Sequence, residues 1–251
     1  MNKALIYTTV AALGISTSWV INAKDEGKPH WGYTGKAGAA HWGGLATEFA
    51  TCKLGKEQSP IDIRGASKAD LPAIGFEYSS SAAEVVNNGH TIQVNLAAGG
   101  TLKLASGSYK LLQFHFHAPS EEKVNGIVFP LVAHLVHRND DGELAVVAVL
   151  FKEGKANPKL AKVFAAMPAN ADEIAHLEGG LDPADLLPAK RGYYAFMGSL
   201  TTPPCSEGVR WQVLKETVAL SKAQISAFKK LYPMNARPVQ ALNGRRLQES
   251  K

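Results

Sequence analysis

The stretch Gln113-Phe-His-Phe-His117 is followed by Ala133-His-Leu-Val-His137, and these two runs decide the fold and the chemistry of the chain. Alternate side chains of a β-strand share one face, so the imidazoles of His115 and His117 point to the same side. His134 lies in the second apolar run, and two strands joined by a turn would bring all three histidines together. Three neutral imidazoles leave the fourth position of a tetrahedral metal open, which is typical of catalytic zinc.

The residues around the histidines support a metal site. Gln113 lies on the same strand face as His115 and His117, and a side-chain amide there is a natural acceptor for an imidazole N–H. A cupin-type site is the alternative, since Glu121 follows His117 at the spacing that would make it a further ligand. The glycine that a cupin motif places before its first histidine is Tyr109 here, which argues against this alternative.

Apolar runs separated by glycine, asparagine and aspartate turns dominate the middle of the chain. Short helices are indicated at residues 158–167 and after Ser221, where Ser221-Lys-Ala-Gln224 matches a capping box. The pattern predicts one mainly β domain with a mostly antiparallel sheet and a few short surface helices. The predicted strands are 74–78, 91–96, 101–105, 110–117, 129–137, 144–151, 193–199 and 209–215.

The composition narrows the class of protein. The chain has 251 residues, of which 45% are hydrophobic, enough for one large core in a single domain. Its net charge of +5 comes from scattered basic residues, so no nucleic-acid partner is expected. Residues 1–23 read as a signal peptide, with Lys3 before an apolar segment and Ala23 at the cleavage position. We expect a mature domain of residues 24–251 in the periplasm or secreted, without membrane insertion after cleavage.

Cys52 and Cys205 are the two cysteines of the sequence. An even number in an exported chain predicts one disulfide between them, and two free buried thiols are the alternative. Such a bridge would close a very long loop and stabilise the fold by roughly 4–5 kcal/mol in the chain-entropy model.

Several motifs resemble the α-class carbonic anhydrases, specifically their bacterial exported branch. They are Gly55-Lys-Glu-Gln-Ser-Pro-Ile-Asp62, Asn87-Asn-Gly-His90, Gln113–His117, Ala118-Pro-Ser-Glu121, Ala133–His137, Gly198-Ser-Leu-Thr-Thr-Pro-Pro-Cys-Ser-Glu207 and Asn235-Ala-Arg-Pro-Val-Gln240. The resemblance covers nearly the whole mature chain. It implies a large central twisted sheet, a cone-shaped cleft, and reversible hydration of carbon dioxide to bicarbonate. Carbonic anhydrase is itself the standard example of a three-histidine catalytic zinc site.

The resemblance also implies roles for individual residues. Zn²⁺ is expected on the three histidines, and zinc-bound hydroxide would attack carbon dioxide. Thr201 would orient that hydroxide through Glu121, and His90 would export the proton. The other expected roles are a substrate wall of Val136, Val146, Leu200, Thr201, Thr202, Val209 and Trp211, a proton path of Tyr33, Asn88 and Gln93, and imidazole acceptors at Gln113 and the Asn235 carbonyl. Simple core packing is the alternative for each residue of the wall.

Two departures from the family lie near the metal. Family members usually have Glu two residues before the third histidine, as the acceptor for that ligand's other N–H, and this chain has Val132 there. The residue after Glu121 is often His, and this chain has Glu122. We hypothesise that Glu122 supplies, from the other strand, the carboxylate that position 132 lacks, with a solvated Glu122 as the alternative. Ala241, where proline is usual, is expected to matter little.

Two other functions are compatible with the sequence. One is a cupin-type metal oxygenase or isomerase, in which Glu121 binds the metal. The other is a catalytically weakened binding module that keeps the fold. Val132 is the only residue that favours it. A small-molecule substrate and a possible homodimer are the expected partners.

Overall fold

The computed structural model describes residues 29–251, so the predicted signal peptide lies outside the described residues and stays a prediction. The strands are β1 (Asp62–Ile63), β2 (Ser67–Ala69), β3 (Gly75–Tyr78), β4 (Ser81–Asn87), β5 (Ile92–Leu96), β6 (Gly100–Leu104), β7 (Gly107–His117), β8 (Lys123–Val124), β9 (Ile127–Val128), β10 (Leu131–Arg138), β11 (Leu144–Glu153), β12 (Ile174–Leu181), β13 (Tyr193–Ser199), β14 (Glu207–Leu214), β15 (Val218–Leu220) and β16 (Gln248–Ser250). The helices are α1 (Trp42–Leu45), α2 (Thr51–Leu54), α3 (Ala161–Ala165) and α4 (Lys222–Leu231), with short 3-10 helices at Gly35–Ala37, Thr47–Phe49 and Pro183–Leu186.

One large sheet organises the molecule. Its strands lie in the order β12-β4-β5-β7-β10-β11-β14-β13-β16-β2, with β6 pairing β7, β3 pairing β6 and β15 pairing β11. Most neighbours are antiparallel, but β11 is parallel to β14 and β15, and β16 is parallel to β2. A small sheet of β1, β8 and β9 uses the segment between β7 and β10. The predicted mainly β fold with a mostly antiparallel sheet is confirmed.

The central strands β10 and β11 are buried on both faces, which explains their nearly continuous apolar sequence. Alternate residues enter two separate apolar clusters. One cluster holds Phe114, Phe116, Leu131, Ala133 and Leu135, and the other holds Val132, Val136, Val146 and Ala148. Because the histidines of β7 alternate with its phenylalanines, His115 and His117 lie on the side of the second cluster.

Helix α4 packs against the first cluster. It begins with the predicted capping box, in which Ser221 and Gln224 each accept the other's backbone N–H. Phe228 is fully buried, and its ring centroid lies 5.9 Å from that of Phe116. The helix thereby fixes the back of β7, the strand whose other face carries two histidines.

Two strands near one end of the sheet, β4 and β12, are missing from the sequence prediction. β4 begins with serine and alanine rather than the β-branched and aromatic residues that mark strands. In β12 the pair Gly179-Gly180 has positive φ and shifts the register against β4, so the alternation is broken. The helix predicted at 158–167 is shorter than expected and spans only Ala161–Ala165 (α3). None of the helices within residues 29–251 has the length and apolar character needed to span a membrane.

Candidate active site

A central pair of antiparallel strands brings the three predicted ligands together. His134 of β10 lies directly opposite His115 of β7 in the strand register, and His117 is two residues further along the same face. One nitrogen from each imidazole lies within 4.8 Å of the other two. Convergent imidazole nitrogens on rigid strands form a donor set that suits zinc.

The second nitrogen of the two β7 imidazoles has a partner that defines the tautomer. His115 Nδ1 lies 2.9 Å from Gln113 Oε1, and His117 Nδ1 lies 2.7 Å from the backbone oxygen of Asn235. Because these oxygens only accept, both Nδ1 atoms carry a proton and both Nε2 atoms present a lone pair. Among the described residues the buried Nε2 of His117 has no hydrogen-bond partner, which fits a nitrogen that binds a metal.

Burial keeps these two imidazoles neutral. Desolvation, with a smaller effect of charge on His134, lowers the pKa of His115 to about 3. Desolvation and the neighbouring imidazoles also lower the pKa of His117 well below 6.5. Since a metal binds the unprotonated ring, both side chains are in the binding form at neutral pH.

Glu122 contacts the third histidine. Its Oε1 and Oε2 lie 3.0 Å and 3.1 Å from His134 Nε2, and the hydrogen bond of regular geometry goes to Oε2. Burial by itself would lower the pKa of His134, but the charge and hydrogen bond of Glu122 and the charge of Glu121 raise it above its usual 6.5. An Nε2–H donated to Glu122 leaves Nδ1 with the lone pair. Val132 is fully buried among apolar side chains on the same side.

Glu121 lies beside the ligands, but the three histidines form the convergent donor set without it. Its Oε1 accepts the backbone N–H of Arg237 at 2.7 Å. Burial raises the pKa of Glu121 to about 7, and the charge of Glu122 adds to this rise. The charge of His134 and hydrogen bonds from Thr201 and Arg237 act in the opposite direction. The Thr201 hydroxyl is therefore close, although no hydrogen bond of regular geometry reaches Oε2 of Glu121 from the described residues.

Comparison with known proteins identifies the family to which this fold belongs. Residues 37–251 match the family model of eukaryotic-type carbonic anhydrase. A carbonic anhydrase of Pectobacterium carotovorum is 46% identical over 235 residues, 93% of this chain and 96% of that protein. One from Neisseria gonorrhoeae is 46% identical over 218 residues, 86% of each. The solved structure of the α-carbonic anhydrase from Thermovibrio ammonificans with the inhibitor sulfanilamide has a TM-score of 0.86 and 49% identity, covering 90% of this chain and 100% of that one.

The chain belongs to the carbonic anhydrase family. It is an enzyme of that family, and the resemblance drawn from its motifs is confirmed. The cupin alternative is wrong, because both the family and the fold differ from it.

The predicted substrate wall of this carbonic anhydrase lies on the histidine side of the sheet. The second apolar cluster includes Val136, Val146, Val209 and Trp211, with Leu200 packed against it. The Trp211 ring meets His134 edge-on, with centroids 4.9 Å apart. Thr201 is buried and Thr202 half-buried on the loop after β13. An apolar surface therefore adjoins the three histidines.

His90 lies in the turn between β4 and β5. Its ring stacks on Trp31 with centroids 3.8 Å apart, a contact that sequence reasoning missed because residues 29–41 show no periodicity. Burial, with a smaller effect of His30, lowers the pKa of His90. Asn88 accepts the His90 backbone N–H at 3.0 Å, and its own amide donates to Gln93 Oε1 at 3.4 Å. The turn around His90 is thus held by the residues predicted to line the proton path.

Tyr33 and Asn235 border the same region. Burial, followed by the negative charge of Glu121, raises the pKa of the Tyr33 hydroxyl, which therefore stays protonated. The Asn235 carbonyl accepts from His117, while its side-chain amide donates to the backbone oxygen of His90 at 3.1 Å. Asn235 thereby joins the ligand strand to the turn that carries His90.

Cys52 and Cys205 form a disulfide with their Cα atoms 5.0 Å apart, which confirms the predicted pairing and indicates an oxidising compartment. The Cys205 backbone N–H donates to the Thr202 oxygen at 2.8 Å. The covalent bond therefore ties the loop that begins at Thr201 to helix α2.

Arg237 is a buried neighbour of the site that sequence reasoning missed. Its guanidinium donates to the Cys52 oxygen and to Gln58 Oε1, both at 2.9 Å, while its backbone N–H holds Glu121. The residue lies within the motif at 235–240 that carries the family resemblance, but nothing in that motif reveals a buried arginine. Arg237 connects the segment around the disulfide to Glu121, the carboxylate beside the three histidines.

Proposed function

We propose that this carbonic anhydrase hydrates carbon dioxide reversibly to bicarbonate and a proton, with Zn²⁺ held by His115, His117 and His134. The observation that carries the proposal is the convergence of three imidazole nitrogens within 4.8 Å of one another. The other nitrogen of each ring is engaged by an oxygen acceptor. When bound, zinc supplies the Lewis-acid chemistry that makes water a nucleophile near neutral pH, a property already established for carbonic anhydrases.

Thr201 and Glu121 would set the direction of the hydrogen bonds beside the metal. An ionised carboxylate only accepts, and Oε1 of Glu121 already accepts the Arg237 N–H. Its Oε2 has no partner from the described residues. A Thr201 hydroxyl that donates to Oε2 keeps its own lone pairs free to accept a hydrogen bond from the attacking oxygen. The Thr201 backbone N–H is then available to a bicarbonate oxygen.

The substrate side of the proposal rests on polarity. Carbon dioxide carries no charge, so its subsite needs apolar walls and few competing donors. Val136, Val146, Leu200 and Trp211 offer such a wall next to His134. Thr202 is the polar residue at its edge.

In this proposal His90 transfers the proton from the site to the buffer. An imidazole titrates close to neutral pH, so proton transfer in either direction is nearly balanced. The half-buried His90 lies beside Asn88 and Gln93, and with Tyr33 these polar groups would order the intervening waters. Replacing His90 with Ala should slow turnover in weak buffer and leave the zinc content unchanged. Added imidazole buffer should restore the rate, and a rate that is insensitive to both changes would contradict this role.

The experiment that tests the function is stopped-flow hydration of carbon dioxide paired with metal analysis of the same sample. We expect one zinc per chain and zinc-dependent hydration that is inhibited by sulfanilamide, the inhibitor bound by the Thermovibrio ammonificans relative. Thr201→Val should lower turnover about 100-fold or more, because it removes a preorganised hydrogen bond. Thr201→Ser, the matched control, should retain most of it. Full zinc occupancy without hydration above background would defeat the proposal and leave the fold standing.

We also propose export to the periplasm or secretion. The disulfide supports it, and so does the signal-like sequence of residues 1–23. Analysis of the mature N-terminus of protein recovered from a periplasmic or extracellular fraction tests this location. A homodimer and the absence of a nucleic-acid partner stay predictions, which sedimentation and a DNA-binding assay check.

A further inference from the structure

We infer that Ser120 is a positioning residue for the third zinc ligand, because its hydroxyl holds Glu122 against His134. This role rests on the zinc site of the proposed function. Ser120 lies in the loop between β7 and β8 and is 3% exposed. Within residues 29–251 its hydroxyl forms hydrogen bonds with backbone atoms alone, so its effect on the metal passes through its neighbours.

The carboxylate of Glu122 takes its position from the backbone that carries it. The residue is fully buried, and in the described part of the chain His134 Nε2 is the one hydrogen-bond donor that its side chain meets. Glu121 differs, because its Oε1 also accepts the Arg237 N–H. The single donor to Glu122 is the very group that has to be positioned, so a further contact must fix the backbone of Glu122.

The Ser120 hydroxyl provides that contact. It donates to the backbone oxygen of Glu122 at 2.8 Å. The next backbone group along the chain, the Lys123 N–H, donates to the Ile61 oxygen at a longer 3.2 Å. A buried carbonyl that loses its donor is costly and tends to move toward a new one. The place of the Glu122 carboxylate therefore depends on the Ser120 hydroxyl.

Ser120 is itself tied to the segment that leads into β10. The Phe129 N–H donates to Ser120 Oγ at 2.9 Å, and the Ser120 N–H donates to the Phe129 oxygen at 2.8 Å. Phe129 lies two residues before β10, the strand that carries His134. These contacts close a ring that runs from β10 through Ser120 and Glu122 back to His134. Glu122 is thereby held relative to the strand whose imidazole it supports.

A purely structural role is the alternative, because the Ser120 hydroxyl also satisfies two backbone groups. Ser250 of β16 offers a matched comparison: it is buried too, and its hydroxyl accepts the Tyr193 N–H at 2.9 Å. Three strands separate β16 from β10 in the sheet. Ser250→Ala should therefore lower the stability to urea without changing the affinity for zinc. A positioning role adds a loss of zinc affinity to Ser120→Ala alone.

Competition for zinc with a chromogenic chelator tests this role without any assay of hydration. Ser120→Ala should weaken zinc binding about three- to tenfold, as expected for loss of one buried hydrogen bond. Ser120→Thr keeps the hydroxyl and should retain most of the affinity. In a Glu122→Ala background, Ser120→Ala should cause no further loss, because its route to the metal is already removed. Ser120→Cys keeps the volume with a weaker hydrogen-bonding group and covers the case in which Ser120→Ala does not fold.

The hydrogen bond from His134 to Glu122 gives a second readout, by NMR of the imidazole N–H protons of the zinc protein. Ser120→Ala should speed exchange of the His134 Nε2–H with water and leave the Nδ1–H of His115 unchanged. The inference is overturned if both Ser120→Ala and Ser120→Cys bind zinc like the parent, or if Ser250→Ala weakens zinc binding as much. An equal loss from Ser120→Ala with and without Glu122 also overturns it.

The failure of this role and that of the proposed function are distinguishable. A parent protein that binds no zinc overturns both. Zinc binding that weakens in Ser120→Ala, in a parent that does not hydrate carbon dioxide, overturns the proposed function and supports the positioning role. Hydration by a parent whose zinc affinity is insensitive to Ser120→Ala and Ser120→Cys does the reverse.

Discussion

Glu122 provides the acceptor for the Nε2 atom of His134. Its carboxylate lies 3.0–3.1 Å from His134 Nε2 in a fully buried setting, and the side chain of Val132 has no acceptor to offer in its place. We predict that Glu122→Ala weakens zinc affinity about 10–100-fold, the range known for such substitutions in carbonic anhydrase itself. Competition with a chromogenic chelator measures this affinity.

The controls for Glu122 separate charge from packing. Glu122→Gln retains an acceptor oxygen without the charge, so its zinc affinity should fall less than that of the alanine variant. Adding Val132→Glu to Glu122→Gln should recover part of the loss, because it supplies a carboxylate from the strand of His134 itself. Glu153→Gln, at an exposed site on β11, should leave zinc binding unchanged. An unaltered affinity in Glu122→Ala would mean that the contact has no role in zinc binding.

The buried ring of His137 is expected to make the stability of the fold depend on pH. Its ring is fully buried between the Tyr78 hydroxyl, 2.7 Å from Nε2, and the Ala145 oxygen, 3.2 Å from Nδ1. Burial lowers the pKa of His137 to about 4, below about 6.5 in an unfolded chain. As the pH falls from about 6.5 to 4, His137 binds a proton in the unfolded chain but stays unprotonated in the folded chain. This histidine should therefore remove about 3 kcal/mol of stability across that window.

Urea unfolding at several pH values checks the His137 prediction. Replacing His137 with Gln should reduce, by a comparable amount, the difference in the free energy of unfolding between pH 7 and pH 4. His176→Gln changes an exposed histidine and should leave the pH dependence of the parent. An identical acid-side slope in His137→Gln would show that other groups cause the loss.

At the scale of elements, the disulfide ties the loop that carries Thr201 to helix α2. It joins residues 153 apart in sequence, so the chain-entropy model gives about 5 kcal/mol of stabilisation. We predict that the double variant Cys52→Ser, Cys205→Ser loses stability of this order in urea unfolding. It should also lose hydration activity, because the turn from Thr201 to Cys205 is no longer anchored.

Reduction of the parent protein with dithiothreitol should reproduce both effects of the double variant and leave the variant itself unchanged. A variant with the parent's rate would show that hydrogen bonds such as Cys205 N–H to Thr202 suffice to hold the loop.

The central strands were predictable and the ends of the sheet were not. β7 alternates histidine with phenylalanine, and β10 places His134 opposite His115, so the shared face of the three histidines follows from a period of two. β12 breaks this period with Gly179 and Gly180, and the parallel pairing of β11 with β14 joins strands more than fifty residues apart. Such pairings depend on packing across the whole sheet, which a local pattern does not encode. For the same reason the stacking of Trp31 on His90 and the contacts of Arg237 appear only in three dimensions.

At the scale of the whole molecule, contacts within the fold hold each of the three imidazoles in place. The histidines lie on the adjacent strands β7 and β10 of the large sheet, on the side of the second apolar cluster, and each ring has its own protein partner. We therefore predict that chelation of zinc leaves the far-ultraviolet circular dichroism unchanged. A ligand that binds the folded state alone stabilises it by about 4 kcal/mol at a thousand times its Kd, which for this size corresponds to a rise in Tm of roughly 10 °C.

Differential scanning calorimetry of chelated and zinc-reconstituted protein measures that rise in Tm. The variant His117→Ala, which lacks a ligand, should melt at the same temperature with and without zinc, since its remaining imidazoles bind the metal weakly. Exposed His176→Gln should respond to zinc like the parent, because its side chain lies outside the donor set. Loss of the strand signal on chelation would mean that the metal organises the central strands. An equal response to zinc in His117→Ala and the parent would place the stabilising metal at another site.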